Sequence, residues 1–267
     1  MLEFLQYDFI QNAFLAGFLA SIICGIIGTL VVINRLVFLA GGVAHASYGG
    51  VGLAFCLGLP VLPVATGFST MAAMLMAWIT LSIKERADTV IGVMWAAGMA
   101  FGIILLDLTP GYNVDLMSYL FGSILTVGIN DIYAMCVVAL AVATLTALFY
   151  KGFLLSAFDE DFARSRGIPV TGLYFLLLAM VAVSVVMIIQ VVGLILIIAL
   201  LTIPPFIAGR FSRSMGWMMI WSSVLSFIFC TLGLFISFQY DITSGAAIIA
   251  VAATVFGLSF LVPETAN

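Results

Sequence analysis

Between Arg35 and Lys84, and again between Arg166 and Arg210, the chain contains no Asp, Glu, Lys or Arg. Charged residues sit in short segments that separate long apolar runs. Hydrophobic side chains make up 65% of the 267 residues and charged ones 7%, against about 25% charge in a soluble domain. A bilayer offers the backbone no water, so each spanning segment has to satisfy its own N–H and C=O groups, as a helix does. The expected fold is all-α: a polytopic membrane helix bundle, with residues 1–267 forming a single transmembrane domain and no room for a separate soluble one. The net charge of −4 rests on few groups and says little. The eight Lys and Arg form no dense patch of the kind that binds nucleic acid. Residues 1–8 carry Glu3 and Asp8 but no basic residue, unlike the start of a cleaved signal peptide.

Nine spanning segments are expected, at about 10–33, 37–58, 63–83, 90–106, 131–150, 171–189, 191–209, 215–237 and 243–262. Most approach the ~20 residues needed to cross. The run 171–209 counts as two only if it turns near Gln190 to Gly193, and eight spans is the alternative. With nine spans and the N-terminus outside, all eight basic residues fall on the cytoplasmic side, as the positive-inside rule requires. Acidic residues divide evenly and do not set the topology. Leu116 to Val127 is apolar but reaches only about 18 Å as a helix, too short to span. Residues 107–130 are therefore expected on the outer side, with a turn at Pro110-Gly111 and an interfacial or re-entrant helix over 116–127. The four cysteines (Cys24, Cys56, Cys136, Cys230) lie far apart in apolar runs and read as reduced, buried small hydrophobes.

The second span holds the only histidine, His45, in the stretch GGVAHASYGGVG. Gly41 and Gly49 lie one turn on either side of it, and Gly42, Ala46 and Gly50 form a second small-residue row. Such spacing lets helix backbones approach closely. An ionisable group at that depth is costly and points to function. His45 has two readings: a group that handles a substrate, or one that hydrogen-bonds within a tight helix contact.

The longest cytoplasmic excursion is Lys151 to Pro169. Ser156 followed by Asp159 resembles a capping box with Asp for the usual Glu. Glu160 and Arg164 form an i,i+4 pair in the favourable order, and Phe158 and Phe162 share a face. Gly167 can close the helix in the left-handed region and Pro169 stops it. A charged helix of about ten residues follows, either a solvated loop helix or a docking element for a cytoplasmic partner. Pro204 and Pro205 lie near the inner end of the seventh span, where they remove backbone hydrogen bonds for the sake of packing or of a gate. Thr243 or Ser244 is expected to cap the last span, with Asp241 as a solvated loop acid or a cation lure.

Several functions are excluded. There is no GxxxxGK[ST], so the chain does not bind ATP by that route. HExxH, GxSxG and any cysteine–histidine cluster are missing, and one histidine leaves little for catalysis. No arginine-rich voltage sensor or potassium-type filter is present.

Three stretches together resemble the membrane permease subunits of zinc/manganese/iron-type ABC importers. They are LAGGVAHASYGGVGLAF at 39–55, SAFDEDFARSRGI at 156–168 and VGLILIIALLTIPPFIA at 192–208, with DITSG at 241–245 also fitting. The resemblance covers essentially the whole chain and implies a type II importer-like fold. It also implies a non-enzymatic subunit of a bacterial or archaeal plasma membrane, homodimeric around a translocation path. The partners it implies are cytoplasmic ABC ATPases, an extracytoplasmic metal-binding protein and the lipid bilayer. No cofactor is held permanently; a divalent transition metal is the transported substrate. Ser156, Phe158, Asp159, Glu160, Asp161, Phe162, Arg164 and Gly167 would form the coupling helix on the ATPase. Gly41, Gly49, Gly50, Pro204 and Pro205 would serve helix packing or gating.

The sequence departs from the family in one place. Many zinc and manganese members carry an aspartate one turn before the histidine, where this chain has Gly41. Only His45 carries over as a metal ligand, an imidazole that suits zinc, iron or nickel in kind. Two copies would supply two such rings, with Tyr48, carbonyls or water completing the shell. The alternatives are a permease for a metal chelate such as a siderophore or cobalamin, and a secondary transporter or channel without an ATPase. A missing membrane carboxylate relay speaks against proton coupling.

Overall fold

The computed structural model of the chain describes residues 8–83, 87–109, 122, 124 and 127–261. Among them every regular element is helical: α1 (Asp8–Ile33), α2 (Val37–Leu57), α3 (Val61–Ser82), α4 (Ala87–Asp107), α5 (Ile129–Leu148), α6 (Tyr150–Phe158), α7 (Glu160–Ser165), α8 (Val170–Val192), α9 (Leu194–Gly209), α10 (Met215–Tyr240) and α11 (Ser244–Ser259). Seven of these, α1 to α5, α8 and α10, are long and apolar enough to cross a membrane. α9 and α11 are apolar but have 16 residues each, about 24 Å at helical rise against a hydrocarbon core of ~30 Å. Each expected span thus has an apolar helix, but only seven meet the length of a full crossing. The Pro110-Gly111 turn and most of the 116–127 segment lie outside the described residues.

The break inside 171–209 falls on a single residue, Gly193, at φ 87° and ψ 163°. A side chain rarely tolerates that backbone, so glycine there ends α8 and starts α9 without a loop. Thr243 holds the N-cap position of α11 but makes no side-chain cap bond. Asp241 closes α10 in the left-handed region.

The chain gathers into two compact units. The first takes in residues 1–33, 117–149 and 188–267. In it α1 packs on α5, α9 and α10, and α11 packs on α9 and α10. The prolines of α9 leave the Leu201 carbonyl without its i+4 donor, because Pro205 has no N–H. Gly28 of α1 faces this carbonyl, and a Cβ there would stand 2.7 Å from the Leu201 oxygen and 2.9 Å from Pro205 Cγ. A bare glycine lets the α1 backbone come close to the freed oxygen, where a side chain would collide with it. Neighbouring hydroxyls bond within their own helices or across: Thr29 Oγ1 donates to the Gly25 carbonyl at 2.7 Å and lies 3.3 Å from Ser222 Oγ.

The second unit takes in residues 34–116 and 150–187. Its core joins Leu39, Val43 and Ala46 of α2, Ala72, Ala73, Met76 and Ala77 of α3, Ile91 of α4, and Leu178 and Ala182 of α8. The small residues let helices meet backbone to backbone. A Cβ on Gly98 would stand 2.8 Å from Ala46 Cα, one on Gly49 3.0 Å from the Gly98 carbonyl oxygen, and one on Gly50 2.7 Å from Ala65 Cα. Gly52 and Gly102 face each other's helix backbone in the same seam.

Two of the four cysteines depart from expectation. Cys24 and Cys230 are buried, but Cys56 and Cys136 are exposed, and all four are free thiols. Cys136 shares an outward stripe of α5 with Tyr133, Val137 and Leu140, all exposed. Residues three and four apart on a helix share one face, and an apolar run in a membrane chain has a lipid side as well as a protein side.

The α2–α4 seam predicts a contrast. Gly98→Ala should destabilise the purified protein by roughly 1–3 kcal/mol, the usual cost of overpacking, read as a lower melting temperature in detergent. Gly67→Ala, where nothing lies within 4 Å of the added methyl, should leave the melting temperature unchanged or raise it slightly. Equal effects at both positions would mean that the seam does not limit stability.

Candidate functional site

His45 is the ninth residue of α2 and is half-buried, whereas every other residue from Leu39 to Gly52 is buried. α4 supplies its surroundings. The imidazole stacks on the Trp95 indole, with centroids 3.9 Å apart and an interplanar angle of 22°. Its Nδ1 lies 3.1 Å from Met99 Sδ. Trp95 and Met99 are four residues apart and so share one face of α4. The seam of glycines brings that face close: Gly98 sits against Ala46, the residue after His45.

The other small residues of this stretch divide their tasks. Gly49 packs under the Phe68 ring and the Gly98 carbonyl, Gly50 on Ala65 and Phe68 of α3, and Gly42 against Ile91, with 2.6 Å from a built Cβ to Ile91 Cγ2. Gly41 does not pack in this way. No heavy atom lies within 4 Å of where its Cβ would stand, so the position one turn before His45 is open space. Tyr48 is buried at 2% exposure and faces the Gly102 backbone, which puts its helix turn in the seam. Among the described residues no group of three or more His, Cys, Asp or Glu side chains comes together. The His45 imidazole thus has the Met99 thioether beside it and no such cluster around it among the described residues.

The second candidate region is the polar excursion between α5 and α8. The expected single helix is two: α6, nine residues long, and α7, six residues long. Ser156 does not cap; it lies inside α6, where its hydroxyl is buried without a partner. Asp159 caps instead. It adopts an extended backbone and its carboxylate accepts the Phe162 N–H at 2.8 Å. The carboxylate reaches the N3 amide in the short-side-chain manner that favours Asp at a cap, and a serine three residues upstream has α6 to continue instead. Arg164 donates to Glu160 at 2.6 Å. Arg166 lies 5.1 Å over the Phe162 ring. Gly167 takes φ 78°, its N–H donates to the Arg164 carbonyl and that of Ile168 to the Ala163 carbonyl at 3.1 Å, a Schellman closure. Ala163 is fully buried, whereas Phe158 is 78% exposed and Phe162 43%. Glu160, Asp161 and Arg164 are exposed as well. The end of α6 and the capped α7 thus present two aromatic rings, Phe158 and Phe162, among charges. Pro204 and Pro205 are buried inside α9, in the first unit with Gly28.

Sequence reasoning named His45 but not Trp95 or Met99. One sign was present: Gly98 and Gly102 form a GxxxG pair in α4, which marks a close helix contact and makes residues beside it candidates to meet α2.

Known proteins match along the whole length. A membrane protein of Synechocystis sp., itself uncharacterized, is 48% identical over 97% of this chain and 92% of its own. The manganese transport system membrane protein MntC of Halalkalibacterium halodurans is 31% identical over 97% of this chain and 88% of its own. Among solved structures, PsaBC from Streptococcus pneumoniae in complex with Fab superposes with a TM-score of 0.89 at 32% identity, covering 98% of this chain and 95% of that one. The model of the ABC 3 transport family matches residues 6–263, and the chain, an all-helical membrane protein with this fold, belongs to that family of metal ABC transporter permeases.

Proposed function

We propose that this protein is the permease subunit of an ABC importer for a divalent transition metal, manganese first and zinc or iron as the other candidates. One observation carries the reading: family, relatives and solved fold agree over the full chain, including the helix that holds His45 and the exposed α6–α7 segment. The continuous match from residue 6 to 263 favours one permease domain. Nine crossings take the seven long apolar helices together with α9 and α11 as short spans in a locally thinned or protein-lined region, where hydrophobic mismatch costs little per ångström. With the N-terminus outside, every Lys and Arg then faces the cytoplasm of a plasma membrane.

The chain supplies the path and separate subunits supply the energy. α6–α7 is rigid, charged and aromatic at its exposed surface, which suits a coupling element seated on a cytoplasmic ATPase. In that role Phe158 and Phe162 insert, Asp159 and Gly167 hold the ends of α7, and Glu160, Asp161 and Arg164 set the charge pattern. His45 contributes an imidazole to the passing ion. A lone ring binds weakly, and weak binding lets an ion leave as readily as it enters. A homodimer brings two such rings to the path, and an extracytoplasmic binding protein delivers the metal.

Manganese accumulation by cells that carry this chain with its cognate ATPase and binding protein tests the reading. Uptake should require all three, and a chain that supports no metal uptake with its partners present overturns it. His45→Ala should lower manganese uptake by at least about tenfold at matched expression, since losing even a partner behind a metal-binding histidine costs that much; unchanged uptake and affinity would remove the ligand role.

The coupling role makes a sharper demand. Glu160→Lys combined with Arg164→Glu keeps the intrahelical pair but reverses the surface it shows. ATP hydrolysis by the assembled complex should then continue without transport. Normal uptake in that double variant would mean that no partner reads the charge pattern.

A further inference from the structure

The contact between His45 and Met99 fixes a proton. A thioether sulfur has lone pairs and no hydrogen, so it accepts and never donates. At 3.1 Å from Met99 Sδ, Nδ1 must carry the hydrogen of that bond. A neutral imidazole has one N–H, so Nε2 keeps its lone pair. The ring stays neutral because an unpaired cation inside a membrane is costly, and among the described residues no carboxylate pairs with His45. We infer that Met99 is a positioning residue, which holds His45 as the Nδ1–H tautomer and leaves Nε2 as the donor to the transported ion. This rests on His45 being the metal-handling side chain of the path.

Three features act together. Trp95 stacks on the ring at 3.9 Å and sets its plane, while Met99, one turn along the same helix, sets its rotation about the ring axis. Open space at Gly41 leaves no side chain one turn before His45 to hydrogen-bond the ring in place of the metal. The third feature is the choice of acceptor. Histidines that bind resident metals commonly pass their second N–H to a carboxylate or carbonyl, which raises ligand basicity and affinity. A thioether is a weak, neutral acceptor and adds little basicity. The outcome is an imidazole with a defined free nitrogen and modest affinity, suited to a divalent cation that must move on.

Because the chain has one histidine, nitrogen NMR of isotopically labelled histidine in the reconstituted full-length protein reports His45 alone. The wild type should show a protonated Nδ1 and a bare Nε2, and Mn(II) should broaden the Nε2 signal. Met99→Leu keeps the volume but removes the acceptor. It should populate the opposite tautomer and lower both manganese uptake and the broadening about tenfold, the lower end for losing a partner behind a metal-binding histidine. Met99→Gln, whose amide oxygen accepts the same hydrogen bond, should restore the tautomer and the broadening. A protonated Nε2 in the wild type overturns the proposal, and so do Leu and Gln variants that behave alike. The tautomer is read without transport, so a wild type with the stated proton but no manganese uptake would count against the transport reading alone.

Discussion

Direct contact between helix backbones is the constraint on which the second unit depends. Within lipid, apolar side chains gain little by leaving one hydrocarbon for another, so helices associate by packing and by weak polar contacts at short range. Glycine makes that range possible. Gly49, Gly52, Gly98 and Gly102 remove the side chains that would hold α2 and α4 apart. The close seam brings Trp95 and Met99 to the imidazole of His45. A bulkier seam would leave the histidine as an isolated polar group in an apolar helix.

The first unit solves a related problem with the same device. Two adjacent prolines in α9 take away amide donors, and in a membrane no water replaces them. Gly28 brings the α1 backbone up to the Leu201 carbonyl, while Thr202 turns its hydroxyl back to the Ile198 carbonyl at 2.8 Å. Irregular backbone at depth survives because neighbouring helices cover it.

Outside the apolar helices the balance of forces reverses. α7 is too short to be stable by propagation alone. It persists because each end is tied: Asp159 accepts an amide at the start, Gly167 turns the chain left-handed at the finish, and Ala163 anchors the middle. The ion pair between Glu160 and Arg164 is exposed and adds little stability by itself. Phe158 beside it remains exposed at 78%.

Hydrophobicity and charge placement determined the class of fold, the positions of its apolar helices and the segment that protrudes between them. Those are local properties: a run of apolar residues that must satisfy its backbone internally becomes a helix wherever it sits. Glycine at 193 and 167, and the Glu160–Arg164 pair, were legible for the same reason, since their effects reach only a few residues. Tertiary structure alone decided which residues meet. It chose Asp159 over Ser156 as the cap, because α6 continues through Ser156. It left Cys136 facing outward, because the face of a span that meets lipid is set by its neighbours. It placed Met99 and Trp95 against His45 across more than fifty residues of chain, and left the space beside Gly41 open. Composition and spacing along one helix cannot report the distance to another, and the chemistry available to His45 depends on that distance.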